Sequence, residues 1–198
     1  MHTELLTLLV ELERFGQDND ARNAERARRM LNITRDTGEF LAVLVRAAGA
    51  REVLEIGTSN GYSTLWLAEA ARTTGGCVTT VERSDYKIAL AAANFARSGL
   101  RPSIRQVHGD AGEFLARAAQ ASVDLLFLDS ERAEYCGWWP GLERVLRPGG
   151  LLVVDNAVSH AAELTRFFAQ VRAEPGWATS LVPVGNGEFL AVKPGARD

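Results

Sequence analysis

Apolar positions in the first fifty residues recur at helical spacing. Leu5, Leu8, Leu9 and Leu12 share one face of a first helix, which Gly16 should end after about Phe15. Residues 20–30 predict a second, strongly basic helix whose Arg22, Arg26, Arg28 and Arg29 read as a solvated face. Asp36, with Glu39 three residues on, has the form of a capping box opening a third helix, with Phe40, Leu41, Leu44 and Val45 as its buried stripe. These helices should cover an edge or the mouth of whatever follows.

From Glu52 the pattern changes to short apolar runs alternating with helical stretches. Strands are expected at 53–56, 77–81, 104–107, 123–128 and 151–154, and helices at 63–71, 86–98, 112–119, 133–146 and 161–172. That alternation predicts a parallel sheet with crossover helices on both faces. The last two strands, 179–184 and 188–192, are separated only by Gly185-Asn186-Gly187, which makes a hairpin. The expected architecture is an α/β, Rossmann-like, seven-stranded sheet, mostly parallel, with a C-terminal antiparallel hairpin and an N-terminal helical cap. It should form a single domain over 1–198, with helices in 1–50 and the core in 51–198.

Hydrophobic residues make up 46% of the chain and charged residues 24%, the balance of a folded globular protein. The net charge of -3 gives no electrostatic reason to expect nucleic acid as partner. Cys77 and Cys136 match no ligand pattern, which suits a reducing cytoplasm. Glu4, Glu11 and Glu13 near the N-terminus do not suit a secretion signal, and no apolar run approaches the roughly 20 residues that cross a bilayer.

The first strand leads through Gly57-Thr58-Ser59-Asn60-Gly61 into a helix. Two glycines let the backbone turn sharply and approach a ligand, and the helix N-terminus favours an anionic group such as an amino-acid carboxylate. Ser59 replaces the middle glycine of the dinucleotide fingerprint, which disfavours a nicotinamide dehydrogenase, and Gly61-Tyr62-Ser63 lacks the lysine of a phosphate loop. Glu82 ends the second strand about 20 residues later, where an acidic side chain can accept from ribose hydroxyls. Gly109-Asp110-Ala111 supplies a loop where Asp110 could read an adenine edge. On these residues alone, a tight strand-to-helix turn without ligand remains the alternative.

Asp129 and Asp155-Asn156 end two further strands. Two carboxylates and an amide carbonyl are hard oxygen donors suited to magnesium, calcium or manganese. The competing reading is an Asx turn at Asp155-Asn156 beside an unpaired strand-end carboxylate.

In order and spacing, Met30-Leu31-Asn32-Ile33, Gly38, the Glu55-to-Ser63 loop, Glu82, Gly109-Asp110-Ala111, Leu128-Asp129, Arg147-Pro148-Gly149-Gly150, Asp155-Asn156 and Gly185-Asn186-Gly187 resemble the class I S-adenosylmethionine-dependent methyltransferases. The similarity is to the cation-dependent catechol and caffeoyl-CoA O-methyltransferases. It implies that Glu82 binds the ribose, that Ser63 and the backbone around Ile33 and Gly57 hold the methionine moiety, and that Asp110 and Ala111 border the adenine. Glu55, Ser59, Gly61, Arg83 and Asp129 complete the implied cofactor set. Asp129, Asp155 and Asn156 would hold a divalent cation, Mg2+ foremost, and the acceptor would be a small catechol-like or phenolic molecule. The resemblance further implies a homodimer.

The chain departs from the family at Arg132, which stands where these enzymes generally carry the lysine thought to deprotonate the acceptor. Arginine stays charged above pH 12 and is no ordinary general base, so Asp129 and Arg132 are expected to act by orienting the acceptor and stabilising its oxyanion. The departure keeps open a metal-independent O- or N-methyltransferase and a catalytically idle binding module. His160 reads as merely exposed, and Trp138 and Trp139 as helix core or interface packing. Few residues separate Asp155-Asn156 from the next helix, so the acceptor side should be open, or else completed by the N-terminal helices or another subunit.

Overall fold

The computed structural model describes residues 3–195, so Met1, His2 and residues 196–198 of the expected domain lie outside the described residues. Strands β1 (Glu52–Ile56), β2 (Cys77–Glu82), β3 (Ile104–His108), β4 (Val123–Leu128), β5 (Leu146–Val154), β6 (Ala178–Val182) and β7 (Glu188–Val192) form one sheet in the order β3-β2-β1-β4-β5-β7-β6. The first five strands run parallel, and β7 pairs antiparallel with both β5 and β6. This is the seven-stranded, mostly parallel Rossmann-like sheet that the alternating pattern predicts.

Both faces of the central strands are buried, as a parallel sheet requires. Val53, Leu125, Phe127 and Val153 point to a core shared with α1 (Thr3–Arg22), α2 (Arg35–Ala47), α3 (Tyr62–Thr73) and α4 (Asp85–Ser98). Leu54, Ile56, Leu126, Leu128, Leu152 and Val154 point to the opposite core, closed by α5 (Ala111–Arg117), α6 (Tyr135–Val145) and α7 (Ala161–Ala173). The chain builds outward from β1 through β2 to β3 and then returns to lay β4 beside β1. Connections leaving β1 and β4 therefore diverge, and their carboxyl ends open into a crevice.

Several N-terminal expectations are corrected. Helix α1 passes straight through Gly16 to Arg22, because that glycine serves close packing and not termination: a Cβ there would come within 2.5 Å of the Asn32 amide. Residues 23–34 form no second helix but an extended strap with one 3-10 turn, Arg26–Arg28. Its backbone groups are bonded outward: Asp20 accepts from the N–H groups of Met30 (2.6 Å) and Leu31 (2.8 Å), and Met30 O accepts from Ser59 Oγ (2.7 Å). Helix α2 starts at Arg35 with Thr34 as its N-cap, while Asp36 sits in the first turn and Glu39 pairs with Arg35. Phe40 and Leu44 are only half-buried, and Leu41, Ala42 and Val45 carry the core contact. Helices α1 and α2 pack on one face of the sheet, and Glu13, Gly16, Gln17 and Asp20 of α1 line the mouth together with the strap.

Other differences are of boundaries. Strand β5 begins at Leu146, with an irregular register against β4, and α6 begins at Tyr135 after a 3-10 turn, Arg132–Glu134. β6 runs over Ala178–Val182, not 179–184.

Helix α2 reaches α3 through Gly38. A Cβ on Gly38 would come within 2.5 Å of the buried Trp66 indole, a rigid ring with no room to turn away. Alanine would gain up to about 1 kcal/mol of helix propensity, but overpacking costs about 1–3 kcal/mol. Gly38→Ala should therefore lower the thermal midpoint, and an unchanged or raised midpoint would show that α2 and α3 can separate freely.

Candidate active site

The loop after β1 is shaped from beneath by a buried carboxylate. Glu55 is fully buried and accepts from Ser63 Oγ (2.6 Å), Thr80 Oγ1 (2.6 Å) and the Thr64 hydroxyl, which ties the start of α3 to β1 and β2. Burial raises the Glu55 pKa to about 7, against the opposing pull of the three hydroxyls. Gly57 turns at φ 106°, and a Cβ there would overlap the Asp129 carbonyl oxygen, so the tips of β1 and β4 touch through backbone alone. Gly61 (φ 87°) caps α3 against the Phe95 ring. Ser59, also left-handed at φ 49°, gives its N–H to Glu82 Oε2 (3.1 Å), while Ser84 N–H meets Glu82 Oε1 (2.9 Å). Glu82 is thus aimed along the rim of the crevice.

Above this loop lies a cleft of about 910 Å³. Gly57, Ser59, Ser63 and Glu82 line it, as do Ile33 and Met30 of the strap, Arg83 on the rim, and Asp129 and Arg132 at its far end. Glu55 and Gly61, expected to meet a cofactor, are not on the cleft surface and act through the loop that they support. Asp110 and Ala111 line a small adjoining pocket with Gly57, Glu82 and Trp138. The Asp110 carboxylate caps α5 by accepting from Glu113 N–H (3.0 Å). Trp138 packs against the core from a half-buried position and also forms a wall of this pocket, whereas Trp139 is buried and donates to Glu174 (2.9 Å).

At the far end Asp129, Asp155 and Asn156 do come together. Asn156, at φ 64°, donates from Nδ2 to Asp155 Oδ2 (2.6 Å) and Asp129 Oδ1 (3.3 Å). Desolvation raises the pKa of both carboxyls, and for Asp129 the neighbouring charges of Asp155 and Glu55 add to it. Among the described residues no three His, Cys, Asp or Glu side chains are gathered as a metal-binding group, so the convergence is of two carboxylates and one amide.

Sequence reasoning missed Glu188. The register Val154↔Phe189 sets it beside Asp155, where it is fully buried, accepts from Thr37 Oγ1 (3.3 Å), and has its pKa raised to about 11 by burial and then by Asp155. Asp155 Oδ1 and Glu188 Oε2 have no partner from elsewhere, and a hydrogen bond between the two carboxyls lowers the pKa of Asp155 and raises that of Glu188. Only the hairpin register could have signalled this neighbour. Arg132 is buried with its Nε on Glu163 Oε2 (2.8 Å), and its charge lowers the pKa of both Asp129 and Asp155. His160 is half-buried at the start of α7, not merely exposed: it lines the cleft, with Ser159 Oγ at 2.9 Å from Nδ1. The Ser130 N–H donates to the buried Tyr135 hydroxyl (2.7 Å), which fixes the backbone that follows Asp129.

A backbone-only contact at a sheet switch point, an acidic side chain at the next strand end and a pocket beyond it form a nucleoside-binding geometry. Comparison with known proteins agrees. The sequence matches the O-methyltransferase family over residues 5–194. A probable O-methyltransferase of Mycobacterium tuberculosis is 34% identical over 174 residues, covering 81% of this chain and 77% of the relative. The crystal structure of an O-methyltransferase from Bacillus cereus in complex with SAH superimposes with a TM-score of 0.79 at 28% identity, over 94% of this chain and 90% of that one. An O-methyltransferase from Streptomyces achromogenes involved in tomaymycin synthesis, in complex with SAM, gives a TM-score of 0.78 at 25% identity, over 98% and 91%. The chain belongs to the O-methyltransferase family, and is a methyltransferase of the class I, S-adenosylmethionine-dependent type.

Proposed function

We propose that the enzyme transfers the methyl group of S-adenosylmethionine to a hydroxyl of a small catechol-like or phenolic acceptor, assisted by a divalent cation. The observation that carries this reading is the meeting of Asp129, Asp155 and Asn156 at the end of the cofactor cleft. S-adenosylmethionine would lie with its methionine part over Gly57–Ser63 and against the strap at Ile33, its ribose on Glu82, and its adenine in the pocket of Asp110, Ala111 and Trp138. In the same reading the enzyme is a cytoplasmic homodimer whose partner is a small molecule, neither nucleic acid nor membrane. Among the described residues no helix is long and apolar enough to cross a membrane.

The residues fit a hard cation such as Mg2+. Two desolvated carboxyls side by side suit a positive partner, and the Asn156 amide could present its oxygen by rotating. When bound, the cation supplies the charge that lowers the pKa of the acceptor hydroxyl. The chain's own residues align and exclude water. Arg132, locked by Glu163, presents a permanent positive charge beside Asp129 and so stabilises the acceptor oxygen as an anion without taking its proton. In the transfer, the oxygen–methyl bond forms as the sulfur–methyl bond breaks, the hydroxyl proton departs to water, and the sulfonium charge is neutralised. The second reading, transfer without metal, is favoured by the Asn156 amide N–H groups, which already address both carboxylates.

Three outcomes test this. Glu82→Ala should weaken SAH binding about 10- to 100-fold by calorimetry, the loss expected for hydrogen bonds to a charged group. Unchanged affinity would remove Glu82 from the nucleoside site. Chelator should abolish turnover of a catechol and added Mg2+ restore it, whereas persistence in chelator selects the metal-free reading. Arg132→Ala should lower kcat by about 10²–10³-fold, as loss of one oxyanion-stabilising donor does, with Arg132→Lys recovering most of the rate. An alanine variant with full kcat would show that Arg132 is structural.

A further inference from the structure

The strap that replaces the expected basic helix carries two arginines whose charges are not spent inside the protein. Arg26 and Arg29 line the cleft beside Met30 and Leu31. Arg28, between them, is turned elsewhere, against Glu25 (3.5 Å) and over the Tyr86 ring (6.0 Å). Among the described residues no carboxylate lies within ion-pair distance of Arg26 or Arg29, and Arg29 Nε is buried without an acceptor. Three acids of this region are already occupied: Asp20 holds two strap N–H groups, Glu82 holds Ser59 and Ser84, and Glu163 holds Arg132.

The strap is a fixed platform for those charges. Asp20 anchors Met30 and Leu31, Asn19 Nδ2 donates to Arg28 O (2.8 Å), and Asn32 Nδ2 donates to Leu12 O (3.1 Å). Leu31 is held at φ 51°, a conformation that a leucine adopts only when its surroundings impose it. Arg26 is close enough to Glu163 for its charge to be felt there, and Glu163 in turn grips Arg132 beside Asp129. Arg26 thus reaches the Arg132 side of the cleft, and Arg29, three residues further along the strap, lines the same cleft.

We infer that the acceptor is a small phenolic acid, whose anionic group is taken by Arg29 and Arg26 while its hydroxyl is presented at Asp129, Asp155 and Asn156. This rests on the proposed function and adds the substrate class. A buried guanidinium N–H lacking an acceptor is costly unless a ligand supplies one, and a carboxylate does so with charge and geometry matched. A neutral or cationic catechol would leave Arg29 unsatisfied.

The test compares 3,4-dihydroxybenzoate with 3,4-dihydroxybenzyl alcohol, which differ in charge but keep the same pair of hydroxyls. The wild-type enzyme should favour the acid by about tenfold or more in kcat/KM, the range of one charged hydrogen bond. Arg29→Gln should cut that preference about tenfold, mainly through KM, and Arg26→Gln should cut it by less. Equal use of both compounds by the wild type, or an equal loss for both in Arg29→Gln, overturns the inference. So does an SAH affinity that falls by the same factor in Arg29→Gln, which would assign Arg29 to the cofactor. Turnover of neither compound would instead count against the proposed function on which the inference stands.

Discussion

The close passage of two strand tips governs the rest of the molecule. At Gly57 the chain leaves β1 where Asp129 leaves β4, and the Asp129 carbonyl occupies the space that a side chain on residue 57 would need. The Asp129 N–H bonds back to Ile56 O (3.1 Å), so the two turns are built as one unit. Any Cβ at residue 57 would force the strands apart and lose both the cofactor loop and the first carboxylate of the acceptor end. A cofactor held on one turn and an acceptor held on the other are then brought together by the sheet itself, without a mobile domain to align them.

That rigidity is bought with buried acids. Glu55 lies under the loop with three hydroxyl donors, which favour its ionised form against burial and tie α3 to β1 and β2. Asp129, Asp155 and Glu188 are different, because their donors are too few and burial acts on all of them in the same direction. Arg132 offers a compensating charge to both aspartates, and Glu163 draws part of it outward. A cluster left under-compensated in this way is a stability cost that a packed core would not retain, and it suits a site completed by its ligands.

Legibility in the sequence followed the range of the interaction. The strands and the Gly57 turn were readable because parallel strands buried on both faces leave continuous apolar runs, and glycine at a strand tip leaves few alternatives. The strap was misread for a physical reason: 20–30 has helix-favouring composition, but its N–H groups are claimed by Asp20, a contact that no local propensity records. Gly16 was misread as a stop because termination and close packing leave the same residue. Glu188 was invisible because its meaning depends on hairpin register, and the pocket-lining side of Trp138 because a half-buried ring can serve core and pocket at once.

Arg132 shows how a departure from the family's pattern can be read chemically. A lysine at that place could lose its proton and act as a base; a guanidinium cannot, and its planar donors suit holding an anion. The acceptor must then reach the site with a hydroxyl that ionises readily, or meet enough positive charge there to ionise it. Both demands favour positive charge at the acceptor end, where Arg132 acts on Asp129 and Asp155 and Arg26 acts on Glu163. With proton abstraction no longer the task of a side chain, the positive field around the acceptor has to carry that part of the chemistry, and the strap becomes part of the active site instead of its cover.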